Sequence, residues 1–319
     1  MKIGNRDFDF NSHHVYVMGI LNITPDSFSD GGKYTEKDTI LSHTQEMIDA
    51  GADIIDVGGE STRPGHVQIT VQEEIERVTS VISLIKDRFD IPVSIDTYKA
   101  EVASAALEAG ADLINDIWGL KYRDDNISEK SEREPGESKN NSVEMGHIAA
   151  ETGVPVILMH NDHLGRSLEE RTGKALEEFL RDNPGRSVVE LLSVVGEDRV
   201  TDRVVWGLEE SVKIALDAGI KKENIILDPG IGFAKTQREN LLVMKYLADI
   251  VRRLDYPMLL ATSRKSMIGN ALDLPADERE EGTIVTTILG AQAGCKMIRV
   301  HDVEKNVRTL KMLDAIEHV

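Results

Sequence analysis

Short apolar runs that end abruptly in polar or charged residues recur along this chain. The first covers residues 15–21 and stops at Asn22. It is too short for an ordinary helix and rich in β-forming residues, so it predicts a strand buried on both faces. Beyond it Thr24, Pro25, Asp26, Ser27, Ser29, Asp30, Gly31 and Gly32 crowd together, which is turn chemistry carrying carboxylates and hydroxyls. The same junction returns where 53–57 runs into a Gly58-Gly59 exit, 91–95 into Asp96-Thr97, 113–114 into Asn115-Asp116, and 156–159 into His160-Asn161. It returns again where 225–227 meets Asp228-Pro229-Gly230, 258–261 meets Thr262-Ser263-Arg264-Lys265-Ser266, and 297–300 meets His301-Asp302.

Helical patterns fill the intervals at 35–50, 70–89, 99–109, 143–152, 204–218, 236–254, 266–293 and 303–318. Gly51, Gly110, Gly219 and Gly294 each follow an alanine where a helix would end in a left-handed residue. Thr236 with Glu239 has capping-box spacing, and Ala-Gly-Ala-Asp occurs at both Ala50 and Ala109, as a repeated helix-to-strand unit would require. Eight strand-helix units predict an α/β fold, a (β/α)8 TIM barrel, with its ligand site where the strands end. Two polar stretches break the rhythm and predict insertions at about 121–141 and 161–203 of a single domain spanning 1–319.

Composition narrows the partners. At 319 residues with 40% hydrophobic and 4% aromatic content, the chain suits a barrel filled by Val, Ile and Leu. A net charge of −19 speaks against nucleic acid or an anionic membrane surface as a partner. The single cysteine, Cys295, excludes an intrachain disulfide and reads as a small buried hydrophobe. No apolar run approaches membrane-spanning length and the first ten residues hold no signal-peptide segment, so the cytoplasm is the expected location.

In so acidic a chain, Arg63, Arg264, Lys265, Arg299 and His301 on one predicted rim point to a local anion site, and phosphate suits it best. Asp56, Asp96, Asn115 and Asp228 share that rim and can grip a planar heterocycle that displays N–H donors; Asp56 and Asp116 are the two most readily explained as structural. Asn22 offers an amide oxygen suited to Mg2+, a hard cation that takes a few protein oxygens beside substrate phosphates.

Two segments are distinctive: Gly19-Ile20-Leu21-Asn22-Ile23-Thr24-Pro25-Asp26-Ser27-Phe28-Ser29-Asp30-Gly31-Gly32 and Asp56-Val57-Gly58-Gly59-Glu60-Ser61-Thr62-Arg63-Pro64-Gly65. With Ser94-Ile95-Asp96-Thr97, Asn115-Asp116, Leu158-Met159-His160, Asp228-Pro229-Gly230-Ile231-Gly232-Phe233, Ser263-Arg264-Lys265-Ser266 and Arg299-Val300-His301-Asp302, the chain closely resembles the dihydropteroate synthases, in family order and over nearly its whole length apart from the insertions. The resemblance implies a folate-pathway transferase that joins 6-hydroxymethyl-7,8-dihydropterin diphosphate to 4-aminobenzoate, with Mg2+ as cofactor. It implies a pterin site of Asp96, Asn115, Met159, Asp228, Phe233 and Lys265, and an aminobenzoate site of Thr62, Pro64 and Ser266. Diphosphate would meet Asn22 through Mg2+, with Arg63, Arg299 and His301. Catalysis would rest on Asp30, Arg63, Lys265, Arg299 and His301, and the protein would be a homodimer through helices near the chain's end.

Three positions depart from the family pattern. Ala261 and Ala234 stand where glycine is expected, and Asn161 follows Met159-His160 where methionine is common. Two other readings compete. A corrinoid-type pterin-binding methyltransferase shares the barrel and the carboxylate-amide grip but does not need the Arg299 and His301 anion pair. A non-catalytic pterin binder would not need Asn22, Asp30, Arg63 and His301 together.

Overall fold

The computed structural model describes residues 1–23, 36–60, 68–122, 141–161 and 199–319. A small antiparallel hairpin comes first, β1 (Lys2–Ile3) with β2 (Arg6–Asp7). Eight parallel strands follow: β3 (Tyr16–Asn22), β4 (Ile54–Gly58), β5 (Val93–Asp96), β6 (Leu113–Asp116), β7 (Val156–Met159), β8 (Ile225–Asp228), β9 (Leu259–Leu260) and β10 (Met297–Val300). They pair in the order β8-β7-β6-β5-β4-β3-β10-β9. The parallel bridge between Leu227 and Met258, with Leu227 N–H donating to Pro257 at 2.9 Å, joins the two ends into a barrel. Each predicted strand is present within a residue or two of its expected bounds.

Alternation along the strands divides each one between two cores. Val17, Leu21, Ile55, Val57, Val93, Ile95, Ile114, Leu158, Leu227 and Ile298 belong to the large cluster shared with the surrounding helices. Met18, Ile54, Leu113, Ile157, Ile226, Leu259 and Met297 form the barrel's own lower core, closed from below by Ile3 and Phe8 of the hairpin region. Two residues further along each strand the inward parity continues as Ile20, Asp56, Ser94, Asn115, Met159, Asp228, Ala261 and Arg299. The interior therefore changes from wholly apolar to largely polar within one repeat of the pleat.

The helices are α1 (Glu36–Asp49), α2 (Val71–Arg88), α3 (Ala100–Glu108), α4 (Asn141–Thr152), α5 (Val200–Asp217), α6 (Gln237–Lys245), α7 (Leu247–Arg253), α8 (Ser266–Leu272), α9 (Glu280–Gln292) and α10 (Val303–Glu317). Their starts follow the local chemistry. Thr70 accepts from Glu73 N–H at 3.2 Å to cap α2, and Thr236 with Glu239 makes the expected reciprocal capping box at α6.

Three sequence boundaries need correction. The pattern at 236–254 is two helices, because Tyr246 leaves helical geometry and serves as the end of α6 and the start of α7. The 266–293 stretch is α8, a 3-10 turn at Ala276–Glu278, and α9, with Asp273 in the left-handed region closing the first helix. The expected 161–203 insertion runs too far, since α5 begins at Val200 and buries Val200 and Arg203; the helical patterns expected near 167–180 and 188–195 lie outside the described residues. Cys295 is buried and reduced, as expected of a core residue.

Candidate active site

The strand exits assemble their polar side chains at one end of the barrel. Register places Asn22 beside Gly58, Gly58 beside Asp96, and Asp96 beside Asn115, so four adjacent strands deliver polar or open positions at one level. On the far side Met159 pairs with Asp228. Arg299 reaches across the interior: its Nε donates to Asp56 Oδ2 at 2.6 Å and its Nη2 donates to Asp96 Oδ2 at 2.6 Å. Asn115 Nδ2 adds a longer bond to Asp56 at 3.3 Å.

These contacts place Asp56 inside the site. The residue pattern put it on the rim but made it one of the two carboxylates most readily explained as structural, and the resemblance gave it no role, yet it is wholly buried and holds the guanidinium that also meets Asp96. Asp116 does fit the structural expectation, because its carboxylate accepts backbone N–H groups of Trp118 at 2.9 Å and Leu120 at 2.7 Å.

The electrostatics follow from burial. Burial pushes the Asp96 carboxyl up to about 7 against the pull of Arg299, with Asp56 adding to the rise. Asp228 is likewise raised by burial, opposed by Lys265 and by the Gly230 N–H that it accepts at 2.7 Å. Burial draws the Lys265 ammonium down to about 8, against the attraction of Asp228. At Arg299 burial works against the charge, but Asp56 and Asp96 outweigh it and the guanidinium stays charged. Two buried acceptors, Asp96 Oδ1 and Ser94 Oγ, have no hydrogen-bond partner among the described residues. Such atoms at the mouth of a barrel are suited to a ligand's donors.

Lys265 leaves β9 behind Arg264, a non-glycine residue at φ 58, a strained conformation of the kind found at functional turns. Its Nζ donates to the Ile231 carbonyl and lies 4.5 Å from the centre of the Phe233 ring. A cation, an aromatic face and the Asp228 carboxylate thus line one side of the site, with Met159 packed beside Phe233 in the same small cluster. His301, at the β10 exit, meets Ser263 of the β9 exit through Nδ1 and Oγ at 2.9 Å. Ser266 is exposed at the first turn of α8.

The structure brings together Asn22, Asp96, Asn115, Met159, Asp228, Phe233, Lys265, Ser266, Arg299 and His301 on the strand exits of one barrel end. Asp30, Thr62, Arg63 and Pro64 lie outside the described residues.

Sequence reasoning missed the supports beneath this layer. Lys235 Nζ donates to the carbonyls of Gly230 at 2.8 Å, Phe233 at 3.3 Å and His160 at 3.4 Å, tying the β7 and β8 exits together. The chains meet so closely there that a Cβ on Gly230, itself at φ 67, would collide with the His160 carbonyl. Two departures from the family pattern now have local explanations. Ala234 sits at φ 46, the left-handed region where glycine costs least, and Asn161 Nδ2 donates to the Ile117 carbonyl at 3.3 Å, linking the β6 and β7 exits. Ala261 is buried at the inward parity of β9, and no side-chain contact explains why a methyl replaces glycine there.

The family model for pterin binding enzymes matches residues 18–301. The chain belongs to the dihydropteroate synthase family of pterin binding enzymes. It is 49% identical to the dihydropteroate synthase of Clostridium beijerinckii, with 99% of each chain covered. Among solved structures, the dihydropteroate synthase of Clostridium difficile crystallised with pteroic acid is 38% identical and superposes with a TM-score of 0.74 over 100% of both chains. The Xanthomonas albilineans dihydropteroate synthase with 4-aminobenzoic acid is 34% identical, with a TM-score of 0.75 over 96% of this chain and 94% of that one. Dihydropteroate synthase is thus both the family of the first resemblance and the family of the barrel.

Proposed function

We propose that this dihydropteroate synthase joins 6-hydroxymethyl-7,8-dihydropterin diphosphate to 4-aminobenzoate, releasing diphosphate and 7,8-dihydropteroate by dissociative substitution. The observation that carries the reading is the set of buried Asp96, Asn115 and Asp228 with half-buried Lys265 facing one barrel mouth, and an Asp96 Oδ1 with no hydrogen-bond partner among the described residues beside a charged Arg299. A pterin presents an amino group and ring N–H donors on one edge and acceptors on another. The two carboxylates and the Asn115 amide suit the first, and the Lys265 ammonium suits the second. Met159 and Phe233 supply apolar walls for a flat ring.

In the reaction the bond between the pterin's methylene carbon and the diphosphate oxygen breaks, and its electron pair leaves on oxygen. The methylene cation is delocalised into the electron-rich pterin. The aminobenzoate nitrogen then donates its lone pair to that carbon and loses a proton. No side chain attacks, so the protein's task is to hold charge where it develops. Arg299 and His301 meet the departing diphosphate, and Lys265 orients the ring. Asp30 and Arg63, which the family resemblance assigns to the same step, would favour the cation and the leaving group. Ser266, at the exposed start of α8, would frame the aminobenzoate with Thr62 and Pro64.

Mg2+ fits this donor set in one particular way. Among the described residues no group of three or more His, Cys, Asp or Glu is placed to hold a metal, whereas Asn22 contributes a single amide oxygen next to Gly58. A cation held chiefly by the substrate's phosphates needs little more than that. When bound, it would neutralise charge on the diphosphate oxygens.

The homodimer is supported by exposed Val285 and Leu289 on α9 and Met312 and Ile316 on the adjoining α10, near the end of the chain. No helix among the described residues is long and apolar enough to cross a membrane. A cytoplasmic setting agrees with a water-soluble substrate pair.

The test is diphosphate release with both substrates present, measured for the parent and for Asp228→Ala at limiting pterin. The parent releases diphosphate only when aminobenzoate is also present, and the variant loses at least tenfold in kcat/KM for the pterin substrate, as loss of a charge-assisted contact requires. Unchanged kcat/KM in Asp228→Ala would refute the pocket assignment.

A further inference from the structure

Ser263 and His301 occupy equivalent heights on neighbouring strand exits. The parallel register pairs Leu260 with Ile298, and three residues beyond each lie Ser263 and His301. Two hydrogen bonds join them. The His301 backbone N–H donates to Ser263 Oγ at 3.2 Å, and the same Oγ lies 2.9 Å from His301 Nδ1.

A serine hydroxyl has one proton to give and two lone pairs to receive. The backbone N–H already uses one lone pair, and Ser263 is buried, with no third hydrogen-bond partner for its hydroxyl among the described residues. If Nδ1 carried the ring proton, both bonds would end on Oγ and the hydroxyl proton would be left buried without an acceptor, a costly arrangement. If the hydroxyl instead donates to Nδ1, the hydroxyl proton and the Nδ1 lone pair satisfy each other while the backbone N–H keeps its acceptor. The ring proton of the neutral imidazole then resides on Nε2.

We propose that Ser263 is a positioning residue that locks neutral His301 in its Nε2–H tautomer, so that His301 offers a hydrogen-bond donor, not a lone pair, to the departing diphosphate. The inference rests on the diphosphate role of His301 set out above. An Nδ1–H tautomer would turn the Nε2 lone pair toward phosphate oxygens and repel them, so fixing the tautomer converts an ambivalent ring into a dedicated donor. Neighbouring elements support Ser263 itself. Thr262 Oγ1 meets Thr286 Oγ1 of α9 at 2.8 Å, and Lys265 N–H returns to the Thr262 carbonyl at 3.1 Å, which together hold the backbone on both sides of the serine.

The experiment is nitrogen-detected long-range NMR of the imidazole rings in the full-length protein, at a pH where His301 is neutral. The His301 signals are identified among the nine histidines by their loss in His301→Gln. Expected are a pyridine-type Nδ1 and a pyrrole-type Nε2 in the parent, convergence of the two shifts in Ser263→Ala as the tautomers mix, and restoration in Ser263→Thr. In parallel, calorimetry with inorganic diphosphate and Mg2+ should show affinity weakened about tenfold in Ser263→Ala and recovered in Ser263→Thr, the scale of losing one well-directed donor to a charged group. A pyrrole-type Nδ1 in the parent, or parent-like shifts in Ser263→Ala, overturns the proposal. If the tautomer responds as described but His301→Gln binds diphosphate as tightly as the parent, it is the diphosphate role of His301 that fails, which separates the two readings.

Discussion

Lys99 is a buried cation outside the barrel's mouth, and replacing it by methionine has a calculable cost. Its Nζ lies 2.7 Å from Glu60 and 2.7 Å from Glu74, and it donates to the Ile69 carbonyl at 3.0 Å. The side chains are 11% exposed for Lys99, 3% for Glu60 and 1% for Glu74, so solvent screens this cluster little. Lys99→Met keeps the side-chain volume but leaves two carboxylates facing each other in the interior. Removing one partner of a buried ion pair costs about 3–5 kcal/mol. At about 2 °C per kcal/mol for a large domain, Tm should fall by roughly 6–10 °C.

The sign of the pH dependence separates this cause from simple loss of packing. Burial alone would raise Glu60, but Lys99 outweighs it and holds the carboxyl below its ordinary value. A depressed carboxyl stabilises the fold above its unfolded value, and that contribution is lost as pH falls through the folded one. At Glu74 burial wins over the same lysine, and the carboxyl is raised. Without Lys99, burial is opposed only by the weaker hydrogen bonds from Ile69 N–H and the Tyr98 hydroxyl at Glu60 and from the Thr97 hydroxyl at Glu74. The folded state of the variant then binds more protons than the unfolded state, and its stability rises on acidification. The deficit relative to the parent is therefore largest near pH 8 and shrinks toward pH 5, as read by thermal melts at both. A Tm change under about 2 °C at pH 8, or a deficit that deepens at pH 5, would refute the reasoning. Function should respond as well. Glu60 and Ile69 flank residues 61–67, which carry Thr62, Arg63 and Pro64, so KM for aminobenzoate should rise more than KM for the pterin substrate.

Two more outcomes follow from the site. A Cβ on Gly58 would lie 3.6 Å from Asn22 Oδ1 and 3.7 Å from Asp96 Cβ, ordinary contact distances, so Gly58→Ala should fold with a Tm within about 2 °C of the parent. The methyl nevertheless occupies space between the Asn22 amide and the Asp96 carboxylate, and calorimetry should show the pterin substrate binding about tenfold more weakly; parent-like affinity would count against a ligand passing that point. With Asp96 pushed up to about 7 and Lys265 drawn down to about 8, both by burial, pterin binding should be tightest between those values. Below the range Asp96 gains a proton and ceases to be a pure acceptor, and above it Lys265 loses its charge; a pterin affinity constant from pH 5.5 to 9 would contradict both assignments.

Much of this architecture was legible because the informative signals are local. A buried parallel strand announces itself as a short apolar run, and the change from Ile54 to Asp56, or from Met297 to Arg299, can be read two residues apart on the same inward face. The capping box at Thr236 was legible for the same reason. The interruption at Tyr246 was not, since neither glycine nor proline marks it and the two helices share one amphipathic pattern. The hairpin under the barrel was equally silent, as strands of two residues are too short to show a period. The roles of Lys99 and Ser263 escaped notice because their partners lie on other elements, 38 residues away in the case of Ser263 and His301, and that of Lys235 because its partners are backbone carbonyls, which no residue type announces.

Asp56 shows why a residue on the rim could be placed and still be misjudged. Taken alone, a buried aspartate at a strand end is explained by any nearby backbone donor, as Asp116 is by Trp118 and Leu120. What distinguishes Asp56 is Arg299, which lies 243 residues away in sequence but only two strands along the barrel wall, with β3 between them. The guanidinium spends one edge on Asp56 and Asp96 together, so its orientation is fixed before any substrate arrives. A preset cation stabilises a leaving anion without the cost of reorganising, which is the form of catalysis the proposed dissociative step needs. The carboxylate that looked structural is thus the residue that sets the aim of the arginine proposed to meet the diphosphate, and that contact exists only because the barrel closes.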